Sequence, residues 1–243
     1  MESSTDMQAP QDVTIRSGHV RLDGHLVVPP SPHGVAVFAH GSGSGRFSPR
    51  NNFVARHLQH GRVATLLIDL LIPDEAEDRR KVFDIALLAD RVLSAKAWLE
   101  QDTRTKGLSI GYFGASTGAG AALQAAARDP SSIRAVVSRG GRPDLAEAYL
   151  PSVIAPTLLI VGGDDEPVIE MNRAAYRLLS CPKRLVIVPG ASHLFEEPGT
   201  LEEVAEHALI WFQQHLHPAQ YGDTGAQTKE RFDENTSRGR RIG

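Results

Sequence analysis

The chain of 243 residues contains a single cysteine, Cys181, so it cannot form a disulfide within itself. A lone cysteine is typical of proteins from a reducing compartment, and we therefore predict a cytoplasmic location. The formal net charge of -3 gives no electrostatic basis for binding nucleic acid. No apolar run approaches the length of a membrane span, and residues 1–12 lack the apolar core of a signal peptide. Neither nucleic acid nor a membrane is predicted as a partner.

Signatures of metal and cofactor binding are also missing. Most of the 10 histidines are scattered without the spacing of metal ligands, so we predict no metal site. The Gly-rich segment 40–45 lacks the Lys-Ser/Thr ending of a P-loop and does not match Gly-x-Gly-x-x-Gly. These absences disfavour a phosphate-cradling loop, and the sequence predicts no cofactor.

The chain does contain enough apolar sequence for one sizeable core. Hydrophobic residues make up 41% of it and charged residues 23%, which suits one α/β domain. The C-terminal segment is almost devoid of aliphatic side chains and cannot bury enough surface to offset its ordering entropy. We predict a flexible N-terminus over 1–12, a folded domain over 13–217 and a flexible polar tail over 218–243.

Within that domain, short apolar runs alternate with segments of helical periodicity. Such repeated strand–helix units predict a mainly parallel sheet with helices on both faces. One long helix is predicted from an apolar stripe that runs from Val82 to Leu99. The last helix is predicted to start at Thr200, with Glu203 completing a capping box. The predicted strands are 13–15 and 26–28 at sheet edges, then 35–39, 64–70, 108–113, 133–138, 157–162 and 184–188.

The most informative motif is Gly-x-Ser-x-Gly, which spans Gly114 to Gly118. It lies between the apolar run 108–113 and an Ala-rich helical run, 119–127. This strand–turn–helix context is that of a nucleophile elbow, in which a tight and strained turn exposes the serine hydroxyl. Side chains at the two glycines would collide within such a turn. The pattern therefore indicates Ser116 as a nucleophile.

Other predicted strands also end in polar residues. His40, the Asp164-Asp165 pair and His193 each follow a different strand. Because active sites of such sheets lie at the carboxyl ends of the strands, we expect these residues to lie near Ser116. The order along the chain is Ser, then Asp, then His, which is the order of the α/β-hydrolase triad.

These motifs resemble those of the α/β-hydrolases, specifically the dienelactone-hydrolase-like serine hydrolases, over roughly residues 13–216. The matching features are His40-Gly41, the elbow at Ser116, a Gly-x-x-Asp turn that ends at Asp165, and Gly-x-Ser-His that ends at His193. The resemblance implies an α/β-hydrolase fold and a serine hydrolase mechanism. Dienelactone hydrolases proper use a cysteine nucleophile, so dienelactone itself is not implied as the substrate.

Relatives of this group can be joined to a phosphoribosyltransferase domain. The present chain contains no acidic loop followed by Thr-Thr-Gly, so phosphoribosyl transfer is not predicted for it.

The chemistry of a serine hydrolase gives each candidate a role. The neutral hydroxyl of Ser116 needs a base within hydrogen-bond reach, and His193 can take its proton and later return it. A carboxylate must orient the imidazole and stabilise its charged form. The family pattern Gly-Gly-x-Asp-x-x-Val places that acid at Asp165. Its neighbour Asp164 is the alternative, and Asp144, which follows the preceding strand, is a third candidate.

The tetrahedral oxyanion of such a reaction needs preorganised N–H donors. One is predicted to be the backbone N–H of Thr117, at the start of a helix whose dipole favours negative charge. The second is predicted to be the N–H of Ser42.

Several arginines lie near the expected site. Arg139 and Arg142 follow a strand end, where a guanidinium suits a carboxylate or phosphate group of a substrate. A structural salt bridge is an equal alternative for both. Arg46 and Arg50 are weaker candidates for the same role.

The segment between Asp144 and Pro156 is too short for the large helical cap that many α/β-hydrolases carry. An open site favours small esters or lactones as substrates. Two alternatives stay open: an acyltransferase or amidase that uses the same triad, and a catalytically silent hydrolase fold that binds proteins. The sequence does not indicate an oligomeric state.

Overall fold

The computed structural model describes residues 9–216, which form an eight-stranded sheet with helices on both faces. The strands are β1 (Gln11–Ser17), β2 (Val20–Val27), β3 (Gly34–Ala39), β4 (Val63–Ile68), β5 (Ile110–Ala115), β6 (Ile133–Arg139), β7 (Thr157–Gly162) and β8 (Lys183–Val188). The helices are α1 (Pro49–His60), α2 (Pro73–Ala76), α3 (Arg79–Val82), α4 (Ile85–Leu99), α5 (Thr117–Arg128), α6 (Glu166–Leu178) and α7 (Thr200–His215), with a 3₁₀ segment at Pro143–Ser152.

The strands lie in the order β1-β2-β4-β3-β5-β6-β7-β8. The pairs β1–β2 and β2–β4 are antiparallel, and all other pairs are parallel. Strands β3, β4, β5 and β7 are buried along their whole length, as expected for strands covered on both faces. The predicted α/β-hydrolase fold, mainly parallel and without a large cap, is confirmed.

Two core layers sandwich the sheet. Helices α4, α5 and α6 and the 3₁₀ segment pack on one face, and α1 and α7 pack on the other. Each crossover returns the chain to the same end of the sheet, so the parallel strands all point one way. The loops that follow β3, β5, β6, β7 and β8 therefore converge at the edge formed by the carboxyl ends of these strands. That edge carries the predicted site residues.

Three predictions of local structure are wrong. Strand β2 lies between β1 and β4, so the segment 26–28 is not at a sheet edge. The apolar stripe from Val82 is broken, because the Asp84 carboxylate accepts a hydrogen bond from the N–H of Leu87 at 3.0 Å and starts α4 there.

The predicted capping box at Thr200 is also wrong. Gly199, with a left-handed φ of 85°, precedes α7, and its carbonyl accepts the N–H of Glu203 at 3.1 Å. The Thr200 hydroxyl instead donates to the carbonyl of Glu197 at 2.8 Å. The helix begins at Thr200 as predicted, and Gly199 takes the N-cap position.

Strand β1 starts at Gln11 and therefore overlaps the segment 1–12 that is predicted to be flexible. The tail predicted over 218–243 lies outside the described residues. Across residues 9–216, no helix has both the length and the apolar character needed to span a bilayer.

Candidate active site

The elbow predicted around Ser116 has the geometry of a strained turn. Ser116 lies between β5 and α5 with φ 50° and ψ −123°, a region that non-glycine residues rarely adopt. Its N–H donates to the carbonyl of Arg139 at 3.2 Å, and its own carbonyl accepts the N–H of Arg142 at 3.0 Å. The turn is therefore held from both sides by the segment that follows β6.

Steric crowding explains the two glycines of the motif. A side chain at Gly118 would overlap the backbone carbonyl of Ala39 at the end of β3. A side chain at Gly114 would overlap the backbone of α5 at Ala119. The helix can start directly behind the serine only because neither position carries a Cβ atom.

Among the three predicted acids, Asp165 is the one that contacts His193. Its Oδ2 lies 2.7 Å from His193 Nδ1, and the side chains are 13% and 39% exposed, respectively. Asp164 is exposed, and its backbone N–H donates to the carbonyl of Ala191. Asp144 accepts two hydrogen bonds from the guanidinium of Arg142.

The structure places His193 and Ser116 at the same strand end. A Cβ atom built on Gly140 would lie 3.1 Å from the His193 carbonyl oxygen and 3.6 Å from its ring atom Cε1. Gly140 directly follows Arg139, whose carbonyl accepts the N–H of Ser116. Ser116 and the Asp165–His193 pair therefore both lie beside the end of β6 and the residue that follows it.

The loop that carries His193 is fixed by residues that the sequence analysis missed. Glu197 Oε2 accepts the N–H of Ser192 at 3.0 Å, and that bond lowers the pKa of Glu197. Phe195, at φ 55°, is buried under the loop. No sequence motif marks either residue, because both act through contacts that only the folded loop forms.

The two predicted oxyanion donors also lie together. The N–H of Ser42 donates to the side-chain hydroxyl oxygen Oγ1 of Thr117 at 3.0 Å. Thr117 is the first residue of α5, where backbone N–H groups have no partner inside the helix. The Thr117 hydroxyl thus links the Gly-rich loop to the elbow, and the role of both N–H groups as oxyanion donors stays a prediction.

His40 organises the start of the Gly-rich loop. Its Nδ1 lies 2.9 Å from the carbonyl of Gly41, and its Nε2 accepts the N–H of Leu70 at 2.9 Å. These bonds require a neutral ring with the proton on Nδ1. Burial lowers the pKa of His40, which keeps the ring neutral near pH 7.

We predict that His40 makes stability depend on pH. Its pKa is lower in the folded chain than the unfolded value of 6.5, so its contribution is intact above pH 6.5 and is lost as the pH falls below it. The slope from one such group is at most about 1.4 kcal/mol per pH unit. Below pH 6.5, the free energy of unfolding measured with denaturant should fall less steeply with decreasing pH in His40→Gln than in the wild type. The other histidines are the same in both proteins and contribute equally to both slopes. Identical slopes would contradict this role.

A cleft of about 410 Å³ opens beside the elbow. Its lining includes Ser42 and Thr117 together with the apolar side chains of Leu70, Val82 and Leu88. Its one acidic wall residue, Asp69, is neutralised by an ion pair with Arg46. The cleft therefore suits a small, uncharged part of a ligand.

The predicted arginines have different surroundings. Arg142 pairs with Asp144, whose hydrogen bonds raise the pKa of the guanidinium. Arg46 pairs with Asp69, and Arg50 pairs with Glu196 at 3.0 Å. Arg139 is buried, and its Nη2 lies 3.4 Å from Asn51 Oδ1. Within residues 9–216, no group of three or more His, Cys, Asp or Glu side chains is arranged to hold a metal ion.

Comparison with known proteins assigns the chain to a family. The sequence profile of the dienelactone hydrolase family matches residues 53–216. The chain belongs to the dienelactone hydrolase family. Within that family, a solved structure of a dienelactone hydrolase from Anabaena variabilis is 56% identical, with a TM-score of 0.83, and the match covers 86% of this chain and 100% of that one.

More distant structures share the fold. Est1E from Butyrivibrio proteoclasticus has a TM-score of 0.72 at 17% identity and covers 84% of this chain and 98% of its own. XC6422 from Xanthomonas campestris, described as an α/β serine hydrolase without a lid, has a TM-score of 0.70 at 19% identity, with 88% and 97% covered. At such identities the likeness shows the fold alone, and it agrees with the missing cap.

Among curated proteins, the chain is 56% identical over 206 residues to a putative phosphoribosyl transferase of Mycobacterium tuberculosis. The match covers 85% of this chain and 46% of that relative, so the chain spans about half the length of the curated relatives it matches. Membership of the dienelactone hydrolase family and the hydrolase neighbours support a hydrolytic activity.

Proposed function

We propose that the chain is a serine hydrolase that cleaves small carboxylic esters or lactones through an acyl-enzyme on Ser116. The observation that carries the proposal is the 2.7 Å contact between Asp165 and His193 at the strand end where the strained Ser116 turn lies. A hydroxyl exposed by an elbow needs such an oriented base to become a nucleophile.

In the proposed mechanism, Oγ of Ser116 attacks the ester carbonyl carbon while His193 Nε2 takes the proton of the hydroxyl. The Asp165 carboxylate holds the other ring nitrogen and stabilises the imidazolium. The N–H of Thr117 receives the oxyanion, helped by the dipole of α5. The N–H of Ser42 joins it after releasing the Thr117 hydroxyl, to which it donates in the structure. His193 then gives the proton to the leaving alcohol, and a water molecule repeats the sequence to release the acid.

The cleft beside Thr117 supports a limit on substrate size. At about 410 Å³, it lies near the lower end of small-molecule sites, which span roughly 300–1,000 Å³. We propose that it receives the acyl part of the substrate. The match to the putative phosphoribosyl transferase covers only 46% of that relative, and we do not propose phosphoribosyl transfer for this chain.

A series of p-nitrophenyl esters tests the proposal. Acetate and butyrate esters should be hydrolysed, and kcat/KM should fall for long acyl chains that exceed the cleft. A p-nitroanilide of the same acyl group and a competing alcohol as acyl acceptor separate an esterase from an amidase or acyltransferase. If none of the esters is turned over, the proposed activity is wrong.

A further inference from the structure

The side chain of Arg139 is the least satisfied charged group in the described chain. The residue is 8% exposed, and its Nε and Nη1 atoms have no hydrogen-bond partner among residues 9–216. The one hydrogen bond of the guanidinium, to Asn51 Oδ1, is long at 3.4 Å. Leaving a buried cation and its donors unpaired is costly, so this group calls for an anionic partner.

The described chain does not supply that anion. The neighbouring carboxylates are already engaged, Asp165 with His193, Asp144 with Arg142 and Glu196 with Arg50. Burial, together with the positive charge of Arg50, lowers the pKa of Arg139 to about 10. Arg139 therefore remains charged near pH 7, and beside the paired Arg50 and Glu196 it leaves an excess of positive charge.

This cationic group lies next to the reacting residues. The Arg139 carbonyl accepts the N–H of Ser116, and the following residue, Gly140, lies against His193. The ring of Phe195, two residues after His193, is centred 6.0 Å from the guanidinium carbon of Arg139. An anion bound at Arg139 would therefore be held close to the proposed scissile ester.

We propose that Arg139, Arg50 and the first turn of α1 form a subsite for a phosphate group of the substrate. The helix begins at Pro49, so Arg50 and Asn51 lie in its first turn, where the dipole favours an anion. The exposed ion pair between Arg50 and Glu196 contributes little, so a bound phosphate can recruit Arg50 at small cost.

The number of unpartnered donors favours phosphate over carboxylate. Nε and Nη1 of Arg139 leave three N–H groups without an acceptor, and a phosphate monoester offers three free acceptor oxygens. A carboxylate offers one charge and two oxygens. The unpartnered donors on Nε and Nη1, with those of Arg50, therefore match the phosphate group better.

Calorimetric titration of inorganic phosphate into the full-length Ser116→Ala protein at low salt tests the subsite. The proposal rests on the proposed function only in assigning the phosphate to the substrate, and binding to this variant needs no hydrolysis. Phosphate should bind, and adding Arg139→Gln should weaken binding roughly 10- to 100-fold. Adding Arg50→Gln should weaken it less. Arg134→Gln, an exposed arginine on the same strand, is the matched control and should change nothing.

Each contrary result is decisive. Absence of phosphate binding to the Ser116→Ala protein, or unchanged binding when Arg139→Gln is added, overturns the subsite. Acetate binding as tightly as phosphate overturns the choice of phosphate. If circular dichroism shows that Arg139→Gln does not fold, Arg139→Lys and Arg50→Gln replace it, and unchanged phosphate affinity in both overturns the proposal. A protein that binds phosphate but hydrolyses no ester keeps the subsite and loses the proposed hydrolase activity.

Discussion

Replacing Ser116 with alanine is expected to abolish covalent labelling by a fluorophosphonate and to lower kcat/KM for short p-nitrophenyl esters by roughly 10³- to 10⁶-fold. The substitution removes the hydroxyl that forms the acyl-enzyme and leaves the backbone donors of Ser42 and Thr117 in place. Some catalysis over water should therefore survive. Steady-state kinetics and gel labelling measure both effects.

The same variant should fold as well as the wild type. Alanine occupies no more space than serine, and the strained φ of 50° is imposed by the hydrogen bonds to Arg139 and Arg142 and by the packing of Gly118. Denaturant unfolding should therefore give a midpoint close to that of the wild type. Undiminished labelling and turnover in a folded Ser116→Ala protein would remove Ser116 from the mechanism.

Replacing Asp165 with asparagine is expected to lower kcat by about 10⁴-fold while KM changes little. The amide has the shape of the carboxylate but can no longer stabilise the imidazolium, and it can hold His193 in the wrong tautomer. Because Asp165 is 13% exposed and its main contact is His193, the fold should persist. Kinetics on the same short esters measure the loss.

Asp164→Asn is the matched control, since it makes the same chemical change one residue away on an exposed side chain. It should leave kcat within a few-fold of the wild type. The reverse ranking of the two variants would assign the orienting role to Asp164, which neighbours Asp165 but whose backbone bonds to Ala191.

Much of the fold was predictable because burial leaves a direct trace in the sequence. The apolar runs before Ser116 and Asp165 mark strands that are covered on both faces, and the order of the apolar runs along the chain predicts one parallel sheet. The small residues at Gly114 and Gly118 marked the elbow for an equally local steric reason. Local signals of this kind are readable without a structure.

Other features depend on contacts between distant segments. The hydrogen bond between the N–H of Ser42 and the Thr117 hydroxyl joins residues 75 positions apart, and no local sequence pattern predicts it. The break before α4 was missed because the apolar stripe continues across Asp84, whose carboxylate caps the helix. At Thr200, a left-handed Gly199 decides where the helix begins.

The preference for Asp165 over Asp164 came from a family pattern, since the two neighbours are chemically identical. In the structure, the backbone of the turn after β7 directs Asp165 toward His193 and leaves Asp164 in solvent. The surroundings of Arg139 were unpredictable for a similar reason. Arg139 lacks a carboxylate partner because Glu196 is paired with Arg50 and Asp144 with Arg142. These pairings depend on the fold and leave no local pattern in the sequence.

The most direct test of the central claim is peptide mapping by mass spectrometry after reaction of the wild-type protein with a fluorophosphonate. The account predicts one adduct, located on Ser116, which forms much more slowly in Asp165→Asn because His193 is then a poorer base. An adduct on a different residue, or ester turnover that continues with no adduct on Ser116, would contradict it.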